Sequence, residues 1–239
     1  VDSGLFANRD QYLSTLRTLC LALGEQRLSE VLTEGDEYLL SMVRTLDELN
    51  SIINHLTERL VDWYGTLDPT FTRKERTMRE DVLLSYLKKG GDAVFLSCVE
   101  EGECLVTLRN ALSREVSRQA EIRYPNCSAL LGGLVAARLV ARAGGLSRLV
   151  RMPSATIQVL GAETALFSHL HAGTPSPKHG ILYQHRRVHA APRNRRGTVA
   201  RVLAGRVAIA ARLDFYRKNL DTDFIQESQI RIDRAGKRT

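Results

Sequence analysis

The stretch that decides the fold runs from Asp36 to Tyr64, DEYLLSMVRTLDELNSIINHLTERLVDWY. Within it Leu39, Met42, Leu46, Leu49, Ile53, Leu56, Leu60 and Trp63 recur at alternating gaps of three and four. That is a coiled-coil seam, because a period of about 3.5 residues keeps one narrow apolar strip turned toward a partner helix. Such a helix would be roughly 43 Å long at 1.5 Å per residue. Its expected mate is the helix carrying Cys98, Leu105, Leu108, Leu112 and Ile122. Between the two, DPTFTRKERTMREDVLLSYLKKGGD has turn residues at both ends and predicts a short helix around Asp81 to Lys88. Leu40, Val43, Ile52 and Val61 lie off the seam, on flanking faces. A two-helix hairpin with such faces is marginal alone, so the seam and its flanks predict self-association with a second copy. Packing onto the rest of the same chain is the alternative.

Prolines divide what surrounds the hairpin. Only Pro69 precedes residue 125, whereas Pro125, Pro153, Pro175, Pro177 and Pro192 punctuate the second half. Long uninterrupted helices are therefore expected first and shorter helices joined by turns afterwards. Strand-like alternation is nearly absent, and the chain reads as all-α. From Pro125 onward the composition turns to Gly, Ala and Leu, as in SALLGGLVAARLVARAGGLSRLV, where Gly132, Gly133, Ala136, Ala137 and Ala141 would let helix backbones approach closely. Three segments are expected: a helical lead-in over 1–35, the hairpin over 36–123 and a compact domain over 124–239.

Charge points toward a partner. The formal net charge is +7, yet its distribution matters more. From Thr164 to Leu213 there is no Asp or Glu, while the same residues hold eight arginines, Lys178 and five of the six histidines. A field of one sign favours a polyanion such as nucleic acid, or an anionic membrane. The membrane reading lacks a basic amphipathic helix with bulky aromatics, and Arg138 and Arg142 interrupt the most apolar window. On a helix from Thr198 to Phe215, Val199, Val202, Leu203, Val207, Ala210 and Leu213 would form an apolar stripe. Arg201, Gly205, Ala208 and Arg212 would lie opposite, suited to the close approach of a phosphate backbone. Arg206 falls inside the apolar stripe and reads as an internally paired arginine.

Catalytic readings fare worse. Cys20, Cys98, Cys104 and Cys127 show no zinc or redox spacing, which suits reduced thiols in a cytosolic-type compartment. His185 and His189 have metal-ligand spacing if helical, but neither a cysteine nor a carboxylate is near enough in sequence to complete a site. A metal-dependent nuclease built on the histidines is the remaining enzyme reading, and no metal or other cofactor is expected.

The run MPSATIQVLGAETALFSHLHAGTPSPKHGILYQH, followed by RRGTVARVLAGRVAIAARLD, closely resembles the Nop domain of box C/D small ribonucleoprotein scaffolds. YPNCSALLGGLVAARLVARAGGLSRLV is similar to the segment leading into that domain, and LDELNSIINHLTERLVDWYG to the family's first coiled-coil helix. The resemblance is to the archaeal-type members and covers about residues 30–220. It implies a non-catalytic, cytoplasmic scaffold that binds kink-turn RNA together with a small ribosomal-protein-like subunit. It also implies a coiled coil joining two copies. Fibrillarin, the S-adenosylmethionine-dependent 2′-O-methyltransferase, would ride on an N-terminal domain, of which NRDQYLSTLRTLCLALGEQRLSEVL resembles only the last helical part. A splicing scaffold of the same fold, engaging a spliceosomal small nuclear RNA, is the second reading.

By position, the resemblance places Gly161, Ala162, Glu163 and Thr164 at the start of a helix meeting RNA and the small subunit. Pro177, Lys178 and His179 would face the RNA stem. Arg193, Arg195, Arg196 and Arg201 would contact phosphates, with Arg212 further along the helix. Thr164 stands where the family has a lysine, and Ser168 where a basic residue is common; Arg186 and Arg187 are expected to offset both.

Overall fold

The computed structural model describes residues 8–34, 36–68, 70–71 and 78–237, and every regular element among them is helical. The described residues up to Tyr38 form one compact unit and those from Leu39 onward another. Helix α1, Arg9–Glu34, makes up most of the first. Asn8 caps it, its side-chain oxygen accepting the Gln11 N–H at 2.8 Å. Leu13, Leu16, Leu19, Leu21 and Leu23 are spread around this helix and all are exposed.

Two 31-residue helices, α2 (Glu37–Leu67) and α4 (Ala93–Arg123), are the arms of the hairpin, with the short α3 (Glu80–Leu87) packed against α4. The α2 seam is spent inside the chain: Leu39, Leu46, Leu49, Ile53 and Leu60 are buried, and Met42 and Leu56 partly so. These side chains are therefore not a surface offered to a second copy. Trp63 is 38% exposed and meets Phe95 only edge-on, because Tyr64 takes the inner position among Phe71, Tyr86 and Phe95. Of the four flanking residues, Leu40, Val43 and Val61 are buried and only Ile52 is exposed.

The α4 seam lies on a different face from the one the leucines suggest. Phe95, Val99, Gly102, Val106, Val116 and Ala120 face inward, whereas Leu108 and Ile122 are 57% and 63% exposed. Polar residues complete the inward repeat. Arg109 is half-buried and bonds Glu80 at 2.6 Å, and Ser113 sits one step further along.

The base of the hairpin does not part from the following helices at residue 124. Leu39, Leu40, Val43, Leu46, Val116 and Ala120 share one core with Leu139, Leu149, Ile157, Leu182 and Leu203. That core is built by α5 (Pro125–Leu131), α6 (Gly133–Ala143), α7 (Leu146–Leu149), α8 (Ser154–Val159), a 3₁₀ turn (Ile181–Gln184), α10 (Arg186–Ala190), α11 (Arg196–Tyr216) and α12 (Thr222–Gly236), while α9 (Glu163–Ala172) adds no buried residue to it. Gly133 lets α6 cross closely over α4, since a Cβ there would lie 2.4 Å from the Ser117 carbonyl oxygen.

Helix α11 is the axis of this bundle. It touches α5, α7, α8, α10, α12 and the 3₁₀ turn, and it buries Ala200, Ala204, Ala208 and Ala211 as well as Val199, Leu203 and Val207. The expected single stripe is thus corrected: Ala208 is 7% exposed and lies in the core, because alanine lets several helices pack around one. Arg206 is paired internally, 3.6 Å from Glu227 and 6.0 Å from the centre of the Phe224 ring.

Candidate nucleic-acid interface

Three local devices fix the segment from Leu160 to Arg201. The Gly180 and Ile181 N–H groups donate to the Gln158 and Leu160 carbonyls at 3.0 and 2.8 Å, closing the loop that carries Pro175 and Pro177. The Gln158 side-chain amide donates to the Lys178 carbonyl at 2.8 Å, which pins the loop beside Gly197. Gly161 has φ +88° and its would-be Cβ lies 2.6 Å from Ile181, so only glycine fits where the chain turns into α9.

An aromatic column forms between this loop and the start of α11. His179 stacks on Tyr183 with ring centres 4.6 Å apart, and the Arg196 guanidinium lies 5.3 Å from the centre of the same ring. His189 approaches Tyr183 at 5.1 Å. Arg196 also donates to the Ala191 and His189 carbonyls at 3.0 and 3.2 Å, so it is half-buried and braces the turn. Burial first, then the Arg196 and Lys178 charges, holds the His179 imidazole below its usual range. Aromatic rings on a cationic rim suit stacking on a base beside a phosphate.

Lys178 is exposed, and its stem lies 3.5 Å from the position a Cβ on Gly197 would take. Arg201 follows one turn later on α11, also exposed. Arg193 is exposed before α11, and Arg195 is half-buried. Arg212 is exposed but lies roughly 16 Å along the helix from Arg201, apart from the column. Arg186 is exposed on α10, whereas Arg187 is bound to Asp233 at 3.0 Å. Arg187 therefore does not offset Thr164, which is exposed on the first turn of α9.

Glu163 plays a different part from its neighbours. Its carboxylate takes both Arg142 donors, at 3.1 and 2.6 Å, and the Gly161 N–H at 2.8 Å. The Arg142 bond is the main reason the carboxyl titrates down at about 2. Glu163 thus anchors α9 to α6 and has little left for RNA. The rest of α9 projects: none of its residues is buried, and Phe167 and Leu170 are 63% and 72% exposed. Sequence reasoning passed over Phe167, Leu170 and Tyr183. A large apolar pair on a helix with no buried face would have signalled the first two.

Among the described residues no His, Cys, Asp and Glu side chains gather into a metal-binding cluster, and no helix is long and apolar enough to cross a membrane.

A family model, Nop, described as snoRNA binding domain, fibrillarin, matches residues 91–235. The chain belongs to the Nop family. The match takes in α4 of the hairpin and every residue of the candidate surface. An uncharacterized NOP5 family protein of Methanocaldococcus jannaschii is 30% identical, over 96% of this chain and 64% of its own length. Nucleolar protein 58 of Debaryomyces hansenii is 42% identical, over 85% of this chain and 46% of its own. This Nop-family chain therefore spans about half to two-thirds of the length of these curated relatives. The crystal structure of a fibrillarin/Nop5p complex superposes with a TM-score of 0.64 at 29% identity, covering 98% of this chain and 83% of that one. The all-α Nop fold is common to both.

Proposed function

We propose that this chain is a non-catalytic scaffold of a box C/D guide ribonucleoprotein. It binds kink-turn RNA together with a small ribosomal-protein-like subunit and positions fibrillarin for RNA 2′-O-methylation. The observation that carries the reading is the column of His179, Tyr183 and Arg196 beside Lys178, on a surface whose sequence is free of acid from Thr164 to Leu213. Stacking plus phosphate contact is how proteins hold unpaired or kinked RNA. The projecting α9, with Phe167 and Leu170 bare, supplies an apolar contact for a protein already on that RNA. The relatives named NOP5 and Nucleolar protein 58, and the Nop5p chain crystallised with fibrillarin, support the same assignment.

Self-association is part of the proposal, through a face other than the seam. Leu108 and Ile122 on α4, and Ile52 on α2, are among the apolar residues the hairpin leaves exposed, and we assign the contact with a second copy to them. Gel-shift titration of kink-turn RNA with and without the bound small subunit tests the assembly order. Tight binding only to the pre-formed complex is expected, and equal affinity for both would overturn it.

A further inference from the structure

Helices α11 and α12 enclose a second basic feature that the column does not use. An open groove of about 500 Å³ is lined by Arg201, Gly205, Arg206 and Ile209 from α11 and by Arg231 and Arg234 from α12. No acidic residue lines it. Glu227, at its edge, is shared by Arg231 at 2.6 Å and Arg206 at 3.6 Å. Arg201 and Arg234 carry no ion pair among the described residues. Four guanidinium groups thus face one divided carboxylate. The floor is open as well, since a Cβ on Gly205 would meet nothing within 4 Å.

The groove continues the candidate surface. Lys178 lies over Gly197, Arg201 is one turn beyond it and Gly205 one turn further. Each four-residue step advances about 6 Å, close to the separation of neighbouring phosphates along one strand. We infer that the α11–α12 groove binds the phosphate backbone of RNA, extending the contact made at Lys178 onto α12. Guanidinium forks match phosphate oxygens bidentately, which a strand running past Arg201 toward Arg231 and Arg234 would exploit. This inference rests on the RNA-scaffold reading, and it adds residues from a helix that reading leaves unassigned.

Arg231→Gln with Arg234→Gln tests it, using the full chain and kink-turn RNA carrying the small subunit. If two phosphates are lost, the slope of log affinity against log salt becomes shallower by about 2, and affinity falls roughly tenfold at moderate salt. Glu227→Gln should move the other way, tightening binding about threefold, a gain that damage to the fold cannot produce. Unchanged affinity and slope in the double variant, with the parent chain still binding, would overturn the groove and leave the scaffold reading intact. Weaker binding to the small subunit without RNA, at an unchanged slope, would assign the groove to protein and also overturn it. A parent chain that binds no RNA would remove both.

Discussion

The Asp214 carboxylate accepts the Asn126 backbone N–H at 2.8 Å, joining residues 88 positions apart. Cys127 N–H donates to its other oxygen at 2.9 Å and the Asn126 side chain to the first at 2.8 Å. A buried carboxylate from α11 therefore closes the N-terminus of α5, where Pro125 precedes donors with no partner of their own. Asn126 in turn donates to the Asn219 carbonyl and accepts from the Asp221 N–H, each at 2.8 Å, which ties in the start of α12. The Cys127 thiol in this setting is pushed well above its usual range, by burial first and by Asp214 second, and stays protonated.

Asp214→Ala should cost about 3–5 kcal/mol, because it strands three buried donors at once. Asp214→Asn should cost less, as one amide oxygen still accepts. Urea unfolding checks this through a lowered midpoint at constant slope. A loss under about 1 kcal/mol for the alanine variant would mean that water or another acceptor replaces the carboxylate.

The hairpin predicts two opposite outcomes. Leu49→Asp places a charge in the inward seam and should unfold the hairpin, seen as lost helical circular dichroism. Leu108→Asp with Ile122→Asp alters only exposed positions and should leave helicity intact while giving monomers by light scattering. Unchanged mass in that double variant would remove the assigned self-association face.

At the column, Lys178→Ala and Arg196→Ala should separate binding from bracing. The exposed Lys178 should weaken ternary assembly and lower the salt slope by about 1, with no change in thermal stability. Arg196 holds two carbonyls, so its removal should lower stability by about 1 kcal/mol in addition to weakening RNA binding. Equal stability of the two variants would show that Arg196 does not brace the turn.

The sequence announces much of this and conceals the rest for physical reasons. The α2 heptad is legible because seven of its eight seam residues are aliphatic or Met, and α3 falls within a residue of the expected Asp81–Lys88. The α4 seam is concealed because Gly102, Arg109 and Ser113 occupy inward positions, while Leu108 and Ile122 point out. In α11, alanine reads equally well as surface or core, so Ala208 is misplaced by periodicity alone. Asp214 looks like the acid that ends a basic run. Only the tertiary structure makes it the cap of α5. The acid-free stretch is legible as a charge pattern, but the Tyr183 column depends on a loop closed by Gln158 and Gly180, which no local pattern encodes.

Glu163 gives a pH signature. Its folded pKa lies below the ordinary value of 4.5, at about 2, so its contribution is full above 4.5 and is lost as pH falls toward 2. Amide exchange in α9 should accelerate over that interval, and Arg142→Ala should produce the same loosening at neutral pH. Titration of the Glu163 carboxyl by NMR near 4.5 in the parent chain would contradict the anchor.

Photo-crosslinking of assembled kink-turn RNA, with the attached peptides mapped by mass spectrometry, tests the central claim most directly. The account predicts crosslinks at Lys178, Tyr183 and the first turns of α11, and their disappearance when the small subunit is withheld. Crosslinks confined to α1 or the hairpin, with this surface untouched, would contradict it.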